Sequence, residues 1–310
     1  MAKQKLIDIF SNLTKNAAWT MQLVKICQSS KKGTYYMCRE IRLLPSSKLF
    51  ETIQAISDYY TSQNGISSYI AIDDYTGDIV EKVIYKLKST NPMITTEYKA
   101  FVNASGNPDI EIDIDQFKAS AAAFVGTVKI NGHSTPAHLI SIRKPVTLLT
   151  NKYILSEKGC FKEVNQPILT VPKTIDVAIF GNEVFFFSQA GEKLFNMERS
   201  YKMVCKNKVS EIVRTDLLSN KYTFAVFAKK GINPRRFVSY NSYRLDWLQN
   251  VQNRENAARK FGFRLDEKRR IITEEKIDVD SLVKFLCNKA MIDPCNEYPV
   301  EVYSAKPWGK

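Results

Sequence analysis

Apolar residues recur along this chain with two periods, and the switches between them predict its elements. Leu6, Ile9, Phe10 and Leu13 lie three and four apart, which predicts a short amphipathic helix from Leu6 to Lys15. Trp19 to Cys27 and Thr34 to Leu43 read as strands, joined by a Ser-Ser-Lys-Lys-Gly turn. Pro45-Ser46-Ser47 suits a helix entry, and behind it Leu49, Phe50, Ile53, Ile56, Tyr59 and Tyr60 form one stripe ending near Asn64-Gly65. Tyr69 to Ile72 and Val83 to Leu87 are further strand candidates around the turn-rich Asp73-Asp74-Tyr75-Thr76-Gly77.

Ala104-Ser105-Gly106-Asn107-Pro108 carries the strongest linker signal, and it divides the chain into regions 1–115 and 116–310. Beyond it, Ala122 to Ile130 and Ala137 to Arg143 flank Asn131-Gly132 and predict a hairpin with a connection longer than two residues. Ile175 to Phe180 and Glu183 to Ser188 flank Gly181-Asn182, which suits a tight hairpin turn. From Asn196 to about Lys260 the pattern becomes helical and basic. Short strands near Phe263 and Ile271, a helix from Val279 to Cys287 and a strand at Val300 to Tyr303 close the sequence. This mixed order predicts an α+β fold with mixed or antiparallel sheets, hairpins and a basic helical region in the C-terminal half.

Composition adds a core and removes a membrane span. Hydrophobic residues make up 44% of the 310, enough for packed interiors. The longest apolar patches, such as Val184-Phe185-Phe186-Phe187, are strand-sized and far short of the roughly 18 residues a spanning helix needs. Met1-Ala2-Lys3-Gln4-Lys5 is basic but has no apolar stretch behind it, so no secretion signal is expected and a cytoplasmic location is. Cys27, Cys38, Cys160, Cys205, Cys287 and Cys295 form no CxxC pair and read as thiols of a reducing compartment.

Charge changes the picture most. The chain carries 45 Lys and Arg against 32 Asp and Glu, a net +13. Between Arg199 and Arg270 stand 18 basic and 6 acidic residues, so nearly all the excess lies in that window. Clustered positive charge repels itself unless a polyanion neutralises it. The competing reading is a solvated basic face kept for solubility.

Within the window, Asn233-Pro234 suits a helix start. If that helix runs unbroken, Arg236, Tyr240, Tyr243, Trp247, Asn250 and Arg254 share one stripe about 80° wide. Phe237, Asn241, Leu245, Leu248 and Val251 then form the adjoining core face. Arg, Tyr, Trp and Asn together supply phosphate donors and flat surfaces for sugars or bases. Equally, the aromatics could extend a core that the arginines rim. The expected DNA-binding set is Lys229, Lys230, Arg235, Arg236, Tyr240, Arg244, Trp247, Arg254, Arg259, Lys260, Arg269 and Arg270.

Candidate chemistry is sparse. Asp109-Ile110-Glu111-Ile112-Asp113-Ile114-Asp115 alternates, so a strand would place its four acids on one face. A metal-dependent nuclease could be built around Asp109, Glu111 and Asp113, but Glu97-Tyr98-Lys99 precedes this strand and Asp115-Gln116-Phe117-Lys118 has the wrong spacing for an acid-x-Lys motif. A solvated acidic face is the simpler reading. The two histidines, His133 and His138, have no cysteine near them in sequence, and no phosphate-binding glycine loop or nucleophile elbow occurs. No catalytic residue, metal or cofactor is expected.

The run Ile175-Asp176-Val177-Ala178-Ile179-Phe180-Gly181-Asn182-Glu183-Val184-Phe185-Phe186-Phe187, followed by Lys193-Leu194-Phe195, resembles a hairpin-then-helix signature of the KwaB-like family of bacterial proteins. Ile142-Arg143-Lys144-Pro145, Phe285-Leu286-Cys287-Asn288 and the segment Tyr298 to Lys306 resemble further blocks of that family, over about residues 120 to 306. Asn196 stands where the family pattern has an acid, so no role of that acid carries over. The resemblance implies a subunit of the two-gene Kiwa antiphage defence system. It further implies a DNA-binding homodimer that works beside a multi-span membrane partner, the KwaA-like subunit, at the inner membrane face. A third reading is an adaptor whose basic face meets anionic lipid headgroups.

Overall fold

A computed structural model describes residues 2–15, 18–29, 33–43, 47–75, 77, 82–109, 117–143, 146–147, 153–157, 160–164, 168–293 and 298–302. Helix α1 (Ala2–Ser11) leads into strands β1 (Trp19–Ser29) and β2 (Gly33–Ile41), then α2 (Ser47–Thr61). Strands β3 (Ala71–Asp74) and β4 (Val83–Lys88) precede α3 (Thr95–Gly106) and the hairpin of β5 (Ala121–Ile130) with β6 (His133–Ser141). Short strands β7 (Val146–Thr147), β8 (Tyr153–Glu157), β9 (Cys160–Val164) and β10 (Ile168–Leu169) follow, then β11 (Val177–Phe180) and β12 (Glu183–Phe186). The remaining helices are α4 (Met197–Val213), α5 (Lys221–Phe227), α6 (Asn233–Arg236), α7 (Ser242–Gln249), α8 (Val251–Phe261) and α9 (Lys276–Leu286), ahead of strands β13 (Ala290–Ile292) and β14 (Pro299–Glu301).

The chain forms two compact units, one of residues 1–74 and 81–197, the other of residues 75–80 and 198–310. The first is built on an eight-stranded sheet in the order β2-β1-β5-β6-β11-β12-β4-β3, antiparallel except for the β3–β4 pair. This is the expected α+β class. On one face, Leu6, Ile9 and Phe10 of α1 and Ile53, Ile56 and Tyr60 of α2 pack with Met21, Phe124, Leu139, Phe180 and Phe185 of the sheet. On the other, α3 sets Phe101 against Tyr36 and His138, with ring centroids 5.5 Å apart in both pairs. Ser105 of α3 donates to Gln22 Oε1 at 3.0 Å, and Gln22 Nε2 donates back to the Ser105 carbonyl at 2.9 Å. Burying both partners together satisfies two polar groups that would each be costly alone.

Four expectations change. The linker signal at 104–108 overlaps the C-terminal turn of α3, and β1 pairs with β5 from Trp19↔Gly126 to Val24↔Ala121. The sheet therefore runs across residue 115, and the compact units part at Met197 instead. The hairpin of β5 and β6 closes in two residues, Ile130 facing His133, because Asn131 and Gly132 take the positive φ values of 51° and 81° that such a turn needs. In the α2 stripe, Phe50 is 56% exposed and Tyr59 also faces outward, since α2 buries only one edge of that stripe. The long helix expected from Asn233 breaks into α6, α7 and α8. Asn241 accepts from the Tyr243 amide at 3.0 Å, and Asn250 from the Asn253 amide at 3.2 Å, each capping a new helix.

Candidate functional site

The second unit packs Cys205, Val209 and Ile212 of α4, Phe224 of α5, Leu245 and Leu248 of α7, Ala257 of α8 and Leu282, Val283 and Phe285 of α9 into one core. With apolar positions committed inward, the basic residues of this unit divide by what their side chains meet.

Arg236 and Arg254 point inward. Arg236 is buried, donating to Asn233 Oδ1 at 3.0 Å and to Glu301 Oε1 at 2.6 Å, while Lys284 approaches the other Glu301 oxygen at 2.7 Å. Burial opposes charge on Glu301, yet Lys284 and Arg236 hold its carboxyl below the usual range. Arg254, 6% exposed, donates to three backbone carbonyls, those of Leu248, Arg269 and Gln249, at 3.1, 2.6 and 3.3 Å. Each guanidinium is consumed in satisfying main-chain or side-chain acceptors of its own unit.

Several others are partly engaged. Arg244 donates to the Phe285 carbonyl at 2.6 Å and lies over the Phe285 ring at 4.7 Å, and burial lowers its pKa. Arg270 pairs with Asp266 at 2.8 Å and Arg269 with Glu255 at 3.3 Å. Arg235 lies over the Tyr201 ring at 5.3 Å. Tyr240 donates to Glu211 at 3.1 Å, and burial followed by that carboxylate raises its pKa.

Lys229, Lys230, Arg259 and Lys260 are exposed and form no ion pair among the described residues. Lys230 rests over the Phe227 ring at 5.4 Å, and Arg259 bonds Asn256 at 3.3 Å, so both stay available to solvent. Arg259 and Lys260 occupy the last turn of α8, which Gly262 ends in the left-handed region at φ 73°.

Trp247, Phe261 and Arg244 meet around one ring. The Trp247 and Phe261 ring centroids stand 6.3 and 4.9 Å from that of Phe285. Tyr243, one turn before Trp247 on α7, is 82% exposed, and Trp247 is 42% exposed. Tyr243 lay in the expected stripe but not in the expected site set. Its spacing of four from Trp247 was the readable signal.

The acidic run lies outside the described residues from position 110 to 115; Asp109 is exposed, and its amide donates to the Cys38 carbonyl at 2.7 Å. Among the described residues, no group of three His, Cys, Asp or Glu is placed to hold a metal. Among them also, no helix is long and apolar enough to cross a membrane.

A search of curated proteins and a search of solved structures each returned no match. The sequence model of the family described as Kiwa protein KwaB-like matches residues 127–293. That match runs from the β5–β6 hairpin through β13, just over half of the chain. Of the blocks on which the resemblance rests, it covers Ile142–Pro145, Ile175–Phe187, Lys193–Phe195 and Phe285–Asn288 and stops short of Tyr298 to Lys306, and on that extent the chain belongs to the KwaB-like family of Kiwa antiphage defence proteins.

Proposed function

We propose that this KwaB-like protein is the non-catalytic DNA-binding subunit of its defence system, a homodimer recruited from the cytoplasm to the inner membrane face by a KwaA-like membrane partner. The observation that supports the DNA contact is the set of exposed cations Lys229, Lys230, Arg259 and Lys260, without an ion pair among the described residues, inside a window of 18 basic and 6 acidic residues. Such side chains attract phosphates without reading sequence, because the energy comes from releasing counterions from the polyanion. Arg236 and Arg254 support the surface from within and stand outside the proposed contact.

The test titrates full-length protein into duplex DNA and, separately, into anionic lipid vesicles across a salt series. Duplex affinity should fall steeply with salt, with a log–log slope of about 0.9 per phosphate contact. Reversing Lys229, Lys230, Arg259 and Lys260 to Glu should remove binding and most of the slope while thermal unfolding stays cooperative. Unchanged duplex affinity in the folded quadruple variant, or vesicle binding without DNA binding, defeats the proposal. Cleavage of DNA that requires Mg²⁺ would defeat its non-catalytic part.

A further inference from the structure

Helix α7 carries two aromatic side chains that leave much of their surface outside the core of the second unit. Tyr243 and Trp247 are four apart on α7, hence on one helical face, and both rings leave substantial apolar area in water. Leu245 and Leu248 anchor the opposite face of α7 in the core. Trp247 keeps one side toward Phe285 while the rest stays open. Asp246, the acid between them, adds a smaller share to the burial and the Glu211 carboxylate that raise the Tyr240 pKa. Arg259 and Lys260 end α8, the next helix, whose Phe261 meets the same Phe285 ring as Trp247.

Resting on the DNA-binding reading above, we infer that Tyr243 and Trp247 form a stacking platform for the bases of an unpaired DNA strand, whose phosphates meet Arg259 and Lys260. Two features favour a single strand over a duplex. In a duplex the base faces are covered by their neighbours, so flat rings gain little, whereas every unpaired base offers a face to stack on. The continuous helix expected from Asn233, which would have run these rings along one groove, is also broken, since α7 spans 8 residues and α8 spans 11, with an Asn cap between them. An aromatic pair flanked by cations is the combination that single-strand binders use, with rings for bases and charges for the backbone.

The test compares full-length wild type with Tyr243→Ala, Trp247→Ala and Trp247→Phe, on a labelled oligo-dT strand and on a duplex of matched length. Tyr243→Ala is the cleanest variant, because that ring is mostly in water and its loss leaves the core intact. Each Ala variant should weaken dT binding by about tenfold or more while duplex affinity stays within about twofold. Trp247→Phe, which keeps a flat ring, should retain most of the dT affinity, and bound dT should quench the tryptophan fluorescence that Trp247→Phe removes. Unchanged dT binding in Tyr243→Ala, or equal losses on both ligands, overturns the inference and leaves the backbone-contact reading standing. A change in sedimentation with no change in dT binding would mark the pair as a protein interface and overturn it too. Wild type that binds neither ligand instead brings down the DNA-binding reading itself.

Discussion

His138 enters the sheet from β6 with 5% of its surface exposed, edge-on to Phe101, and its Nδ1 has no hydrogen-bond partner among the described residues. Burial alone lowers its pKa to about 4 from an ordinary 6.5. A folded-state value below the unfolded one means that the unfolded chain takes up the proton first as pH falls. Its contribution is therefore complete above about pH 6.5 and is lost down to about pH 4, for a total of about 3 kcal/mol. His138→Leu removes that proton uptake, so its denaturant midpoint should fall less than the wild type's between about pH 7 and about pH 4.5. The difference between the two proteins carries the signal, because carboxylates titrate equally in both; parallel curves would refute it. The same scale shows where residue type alone misleads. Arg236 and Arg254 read as phosphate donors in the sequence, but each meets acceptors supplied by distant segments, Glu301 for one and the Arg269 carbonyl for the other. No local pattern distinguishes them from the exposed Arg259.

At the scale of elements, periodicity was the reliable guide wherever one partner surface dominated. The helices α1 and α9, and the hairpins β5–β6 and β11–β12, follow the apolar spacing, while α2 forms where expected but turns Phe50 and Tyr59 outward. Helix α3 was not foreseen, because only Phe101 and Ser105 of its residues are buried, which leaves too sparse a stripe to read. The region after Asn233 misled for another reason. Its spacing satisfies a continuous helix, yet Asn241 and Asn250 accept amide hydrogens and restart the helix, and such side chains favour caps over helix interiors. Asn250→Ala should cost about 1 kcal/mol of stability, seen as a lower unfolding midpoint, because the α8 amides lose their acceptor. Asn250→Asp, which keeps an acceptor there, should recover most of it. An Ala variant as stable as wild type would show that the cap contributes nothing.

For the whole molecule, the boundary matters most. Strands β1 and β2 come from the first 41 residues, yet β1 hydrogen-bonds β5, and α1 and α2 cover the face that holds Phe124 and Leu139. A fragment of residues 116–310 would bare that face and the β5 edge, with apolar area worth roughly 25 cal/mol per Å² left in water. It should aggregate or unfold without cooperativity, whereas full-length protein should melt cooperatively; a soluble, cooperatively folding fragment would refute this. The sequence by itself determined the α+β class, the hairpins, the basic window and the family resemblance, because these depend on spacing, composition and short blocks that persist in one dimension. The tertiary structure alone decided which of the basic residues face solvent, that the α7 face shared by Tyr243 and Trp247 is open, and that one sheet spans residue 115. Those outcomes turn on burial and on partners tens or hundreds of positions away, where hydrogen-bond acceptors and apolar neighbours are set by the fold and not by the local pattern.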